Sequence, residues 1–210
     1  DCGCGYGTTD FYLAMNHVPV HGTTIEFYYD LLPKRFGYWQ ALGPADHFTV
    51  SYENLFDAPP APASYDRIIV QDTLHHLEPL SDALKIFYES LAPGGRMILI
   101  EENGSNLIQR AKLFKQRGNR RIIQQWDEKL GKYVLFGNEN IRSYDSWKRA
   151  FEEAGFRLHD REYIRYLWPK QCSGLSVEEI RRREQTVAEA SPLRREYLFF
   201  GLNFVAEKPA

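Results

Sequence analysis

This chain has no long apolar stretch and no strong charge of either sign. Its longest hydrophobic runs are a few residues, far short of the roughly 20 needed to cross a bilayer. Lys and Arg number 26 against 28 Asp and Glu, a formal net charge of −2. No global field therefore draws the protein to nucleic acid or to an anionic membrane. Cysteine is scarce: Cys2, Cys4 and Cys172 form an odd set, two of them one residue apart. That excludes a disulfide framework and offers no second pair of ligands for a metal. The expectation is a cytoplasmic protein with no stable membrane insertion, no nucleic-acid partner and no bound metal. At 210 residues, 43% of them hydrophobic, the chain suffices for a single domain over residues 1–210 with a full core.

Glycine, by contrast, is concentrated where it matters. Asp1-Cys2-Gly3-Cys4-Gly5-Tyr6-Gly7 alternates glycine with single residues, a spacing suited to a turn that lets a ligand touch the backbone. If a helix starts near Thr8, its free N–H groups add a weak attraction for anionic groups. No Lys-Ser or Lys-Thr follows Gly7 and an acid leads the run, so the phosphate-gripping loop of nucleotide hydrolases is a poor match. Such a turn normally follows a buried strand, and we expect residues before Asp1 to supply it. Val18–Ile25 reads as the next strand, and Glu26 closes it about 20 positions after the loop, the usual distance for a carboxylate that binds ribose hydroxyls. A surface role for Glu26 is the plain alternative. Loop plus carboxylate fits a dinucleotide or S-adenosylmethionine.

Further along, Phe27–Leu32 and Tyr38–Leu42 read as a helical region interrupted by Pro33 and Gly37. Phe48–Tyr52 alternates like a strand. Glu53 and Asn54 just beyond it are placed to meet an adenine edge, Asn54 being equally suited to an Asx turn. Tyr65–Val70 is an apolar run typical of a strand buried on both faces. It ends in Gln71-Asp72-Thr73-Leu74-His75-His76-Leu77, polar side chains at the carboxyl end of a buried strand. Ser81–Leu91 reads as a helix stopped by Ala92-Pro93-Gly94-Gly95, and Arg96–Ile100 as another buried strand before Glu101-Glu102-Asn103.

Three of these segments, in order and spacing, resemble the class I S-adenosylmethionine-dependent methyltransferases. D-C-G-C-G-Y-G is similar to their first motif, Y-D-R-I-I-V-Q-D-T-L-H-H-L to their fourth-strand motif, and L-A-P-G-G-R-M-I-L-I-E-E to the turn into their fifth strand. The resemblance covers residues 1 to about 103. It implies an α/β fold: a doubly wound, mostly parallel seven-stranded sheet with an antiparallel last strand, the first strand apparently missing before Asp1. It implies S-adenosyl-L-methionine as cofactor. Asp1 and the backbone of Gly3, Gly5 and Gly7 would face its amino-acid half, Glu26 its ribose, Glu53 or Asn54 its adenine, and Asp72 or Leu74 its methionine portion.

Past residue 103 the resemblance thins. Helical insertions are expected at about 104–140 and 171–195. The first would have Leu107, Ile108, Ala111 and Phe114 on one helix face and Ile122, Trp126 and Leu130 on another. Arg110, Lys112, Lys115, Arg117, Arg120 and Arg121 make a basic face between them, either covering a substrate or simply solvated. Ser143–Ala154 reads as an amphipathic helix stopped at Gly155-Phe156, Leu158–Leu167 as a strand and Tyr197–Ala206 as the last strand. An imidazole is suited to taking a proton from a hydroxyl. His75 and His76 are thus candidate general bases, with structural hydrogen bonding the equal alternative. The expected function is methyl transfer to a small-molecule acceptor, aromatic or lipid-like, through oxygen. A macromolecule methyltransferase and a non-catalytic S-adenosylmethionine-binding protein are the alternatives.

Overall fold

Burial sorts the chain into two apolar clusters on either side of the glycine turn, as a computed structural model describing residues 1–210 shows. The turn leads into α1 (Thr8–Met15), whose N-cap Gly7 takes a left-handed φ of 66°, a conformation open to glycine at no steric cost. Then come β1 (Val20–Thr24), a 3₁₀ turn over Phe27–Leu31, and α2 (Leu32–Gln40). The interruption expected at Pro33 appears as the change from the 3₁₀ turn to α2, whereas Gly37 leaves α2 unbroken. Pro33 falls in the first turn, where a missing N–H is harmless, and Gly37 is tolerated inside at roughly 1 kcal/mol. Phe11 is fully buried against Phe36, Trp39 and Phe48, with ring centroids 4.8, 5.5 and 5.0 Å away.

β2 (Phe48–Tyr52) pairs parallel to β1, and β3 (Tyr65–Gln71) pairs parallel to β4 (Leu91–Glu102). Between β3 and β4 lies α3 (Leu80–Ser90), its Ala83, Leu84 and Phe87 turned inward at helical spacing. The expected Pro-Gly-Gly stop is a bulge: Tyr65 faces Leu91, but Arg67 already faces Arg96. After α4 (Leu107–Arg117), β5 (Ile122–Asp127) and β6 (Lys132–Gly137) form an antiparallel hairpin. This overturns the helix expected through Ile122, Trp126 and Leu130. β-Branched and aromatic residues fill both arms, and the Asp127–Gly131 turn is fixed locally. Leu130 N–H donates to Asp127 Oδ1 at 2.9 Å, and Gly131 supplies a positive φ of 64°.

α5 (Tyr144–Glu153) is capped by Ser143, whose Oγ accepts from Ser146 N–H, and buries Trp147 and Phe151. β7 (Arg157–Ile164) follows, then α6 (Pro169–Cys172), α7 (Val177–Ala190), α8 (Pro192–Leu198) and β8 (Gly201–Glu207). Tyr197 and Leu198 thus end a helix instead of opening the last strand. Pro192 in a first turn and the Ser191 cap start α8, which runs to Leu198, so the last strand opens only at Gly201.

The fold is α/β with mixed sheets. β3-β4-β8-β7 is four-stranded, with β8 antiparallel to both neighbours, and β1-β2 is a separate parallel pair. The single continuous seven-stranded sheet of the expectation is therefore not what the ladders form. Asp1–Cys4 joins the two sheets instead. Gly3 and Cys4 N–H donate to Thr23 O, Thr23 N–H to Asp1 O, and Cys2 N–H to Ile69 O. Only Cys2 makes a ladder bridge there, because the chain turns at Gly3 with φ 81°. All three cysteines are free, and burial pushes the Cys4 thiol up to about 12. No helix is long and apolar enough to cross a membrane.

The Phe11 cluster is small, so each ring in it carries much of the packing of the β1-β2 half. Phe11→Ala should lower stability by about 3–5 kcal/mol. In urea titrations this reads as a reduced midpoint at unchanged slope. A loss under about 1 kcal/mol would show that this half packs loosely.

Candidate active site

The carboxyl ends of β1, β2, β3 and β4 converge on one crevice, the usual ligand position in an open α/β sheet. The glycine turn lies against the segment that follows β3, where a Cβ at Gly3 would stand 2.2 Å from Thr73 Oγ1. A Cβ at Gly5 would meet nothing closer than Gly3 O at 4.0 Å, which leaves the backbone open to a ligand. Beside the turn, Asp10 is fully buried and burial pushes its carboxyl up to about 6. The backbone nitrogen of Asp1 donates to His21 O at 2.7 Å, in line with the other bonds between Asp1–Cys4 and β1. Glu26 is exposed at the end of β1 and lines a cavity of about 520 Å³ together with Phe27, Tyr52, His76, Trp126 and Phe136.

The other expected cofactor residues are placed less uniformly. Asn54 is buried, and its Oδ1 accepts from Phe56 N–H at 3.1 Å. This is the Asx turn that was the alternative role for it. Glu53 is exposed and lies on a different cavity, with Asp1, His21 and Thr23. Asp72 takes a positive φ of 46° and grips Arg165 through two bonds of 2.9 and 2.7 Å. Leu74 is a core side chain with no exposure, so only its backbone faces the turn.

Glu101 organises this turn, and the sequence reading passed over it. Its carboxylate is fully buried at the end of β4. It accepts from Thr73 N–H at 3.1 Å, from Leu74 N–H at 2.6 Å and from His75 Nδ1–H at 2.6 Å. One signal was available: Met97 and Leu99 face inward with period two. Glu101 falls on the same face, where a carboxylate must find donors.

His75 is buried, and its Nε2 lies 3.7 Å from Glu139 Oε2. Burial pulls its pKa down. The Glu101 hydrogen bond and the charges of Glu101, Glu139 and Glu102 outweigh that and hold it above the usual imidazole value. His76 Nδ1–H donates to Gly137 O at 2.8 Å. The two histidines part company here, since His75 is fixed by a carboxylate and His76 by the hairpin. His75, His76 and Glu139 bring ligand-capable atoms within 4.8 Å of one another, a set that could hold a divalent ion.

The hairpin roofs the crevice. Gly137 packs so tightly that a Cβ there would lie 2.0 Å from His75 O, and Phe136 bridges Leu77. Tyr52 OH lies 2.7 Å from Asp127 Oδ2 and 2.8 Å from Ile25 O, tying the hairpin to the end of β2. Lys129 pairs with Asp30 and Lys132 with Asp57 at the tip. Beyond it, Glu78 accepts from Asn140 and Arg142.

Known proteins share this fold. The profile of a family described as "Methyltransferase domain" matches residues 1–160. Among solved structures, an S-adenosylmethionine-dependent methyltransferase from Methanosarcina mazei superposes with a TM-score of 0.63 at 16% identity, covering 100% of this chain and 91% of that one. One from Archaeoglobus fulgidus gives 0.61 at 17%, covering 99% and 84%. The cyclase SpnF gives 0.64 at 18%, covering 100% and 73%. No curated protein matches in sequence. The chain belongs to the methyltransferase-domain family, and its fold is the one these S-adenosylmethionine-dependent methyltransferases share. Its open glycine turn and the exposed Glu26 fit that cofactor.

Replacing Glu101 by Gln removes a charge but keeps the shape. The His75 imidazole should then titrate at lower pH, read from its ring proton in NMR. A raised folded pKa stabilises the fold fully below about pH 6.5 and loses that contribution as pH rises through the folded value. The pH dependence of stability across that window should therefore flatten in Glu101→Gln. An unmoved His75 titration would remove Glu101 from control of the imidazole.

Proposed function

We propose that this methyltransferase acts on a small molecule, taking a hydroxyl of an aromatic or lipid-like acceptor, with His75 accepting the proton. The observation that carries this is the His75–Glu101 pair. One ring nitrogen is committed to a buried carboxylate, which leaves Nε2 to face Glu139 at the crevice. A cavity of about 520 Å³ under the hairpin lies within the roughly 300–1,000 Å³ common for small-molecule sites. That size supports a small acceptor over a macromolecule. On the same reading β2-β1, the Asp1–Cys4 segment and β3-β4-β8-β7 count as seven positions of one doubly wound sheet.

S-adenosylmethionine supplies an electrophilic methyl on a sulfonium. The chain's own residues hold the partners in place and manage one proton. The backbone of Gly3, Gly5 and Gly7, with Asp1, would hold the amino-acid half, and Glu26 the ribose hydroxyls by charge-assisted bonds. Glu53, exposed just past β2, would meet the adenine, with the Asx turn of Asn54 fixing the backbone beside it. Asp72, fixed by Arg165, and the backbone of Leu74 would border the methionine portion. As the acceptor oxygen gives up its proton to His75 Nε2, Glu101 and Glu139 stabilise the imidazolium that forms, and the hairpin keeps water out. Positioning under such a roof is worth an effective molarity on the order of 10⁵–10⁸ M.

Three measurements test the reading. Calorimetry with S-adenosylmethionine should show binding that Glu26→Ala weakens by about 1.5–3 kcal/mol per lost charge-assisted bond. His75→Ala should keep that affinity and lose turnover by about 10²–10⁴-fold. Because the base must be neutral and its pKa is raised, kcat/KM should climb with pH through a value above about 6.5. Unchanged turnover in His75→Ala would remove it from the mechanism. Methyl transfer to protein or nucleic acid alone would replace the small-molecule acceptor.

A further inference from the structure

From Leu107 to Trp126 the sequence holds six cations and no Asp or Glu, in a chain whose net charge is −2. None of the six, Arg110, Lys112, Lys115, Arg117, Arg120 and Arg121, forms an ion pair within the fold. The apolar residues among them are arranged in an unusual way. α4 buries only Gln109 and Leu113. At about 3.6 residues per turn, Leu107, Ala111 and Phe114 gather on the opposite side, flanked by Arg110 on one edge and Lys115 on the other. Leu107 is 53% exposed, Ile108 50% and Phe114 63%. An ordinary surface helix turns such a stripe to the core; this one turns it to solvent.

The hairpin that follows continues the pattern. Ile122 and Trp126 are about half exposed and Tyr133 more so. Trp126 and Tyr133 pair across the two strands with ring centroids 5.2 Å apart. A solvent-facing apolar stripe rimmed by Lys and Arg, with aromatic residues beside it, is the pattern of elements that lie in a lipid interface. The aliphatic stripe would sit among the outer acyl chains while the cations meet anionic headgroups. A nucleic acid would use the cations and aromatics but leave Leu107, Ile108 and Phe114 in water.

We propose that α4 and the β5–β6 hairpin dock this protein on the surface of an anionic lipid bilayer, lying in the interface without spanning it. Trp126 and Ile123 also line the cavity under the hairpin, so docking would bring the mouth of that cavity to the membrane. That last consequence, an amphiphilic acceptor collected from the bilayer, rests on the function proposed above; the docking does not.

The test is co-sedimentation of the full chain, without cofactor, with vesicles of phosphatidylcholine alone or mixed with phosphatidylglycerol. Binding is expected with the mixed vesicles, falling at high salt and weak or absent with phosphatidylcholine alone. Phe114→Glu and the pair Lys112→Glu, Lys115→Glu should each reduce the bound fraction at least tenfold. All three side chains are exposed, so thermal midpoint and S-adenosylmethionine binding should stay unchanged. Those two controls separate docking from the proposed function, because loss of cofactor binding in the parent protein would sink that function and leave docking standing. No pelleting with anionic vesicles, pelleting that ignores Phe114→Glu, or retention by RNA without vesicle binding would overturn the proposal.

Discussion

A single carboxylate sets the shape of the crevice. Glu101 reaches from the end of β4 to three successive residues beyond β3, holding two backbone N–H groups and one imidazole. Buried charge is tolerated only when its lone pairs are taken, and here three donors take them. Removing one therefore disturbs all three at once. Thr73, placed by the same carboxylate, backs Gly3 so closely that no side chain fits there. The glycine turn and the histidine turn are thus two sides of one arrangement, with β4 as its support.

The hairpin is joined to this arrangement from above. His76 bonds to Gly137, Phe136 bridges Leu77, and Tyr52 reaches Asp127. Burial, with the Asp127 hydrogen bond next, raises the Tyr52 hydroxyl well above its ordinary pKa, so it stays protonated and keeps its bridging proton. Across the crevice Arg165 clamps Asp72. The post-β3 turn is therefore held by β4 below, the hairpin above and the end of β7 at the side.

How much of this was legible varied with the kind of signal. Tyr65–Val70 and Phe48–Tyr52 announced themselves, since apolar runs and period-two alternation arise from local pattern alone. The glycine turn and Glu26 stood out by spacing. The stretch from Ile122 to Leu130 did not, because Ile, Trp and Leu at intervals of four satisfy a helix while β-branched and aromatic residues with a Gly131 turn satisfy a hairpin. Packing against Leu77 and Tyr52, invisible in a linear reading, accompanies the second solution. Asn54 was evenly divided between two roles, and the structure shows the local turn. Glu101 was missed because the sequence shows two adjacent acids without saying that one faces the core. Arg165 was missed because its partner is 93 residues away.

The contact between Gly137 and His75 O also governs where this protein can vary. Residues Glu128–Gly131 form a largely exposed tip in which Glu128 and Lys129 border the cavity and Lys129 pairs with Asp30, so changes of length there would reshape the cavity's rim without reaching the histidine turn. Between Phe136 and Arg142 there is no such freedom. A side chain at 137 would drive into the histidine turn, and an added residue would shift Glu139, Asn140 and Arg142 off His75 and Glu78 together. Lineages of this enzyme should therefore diversify at the tip of the roof while its hinge edge stays fixed.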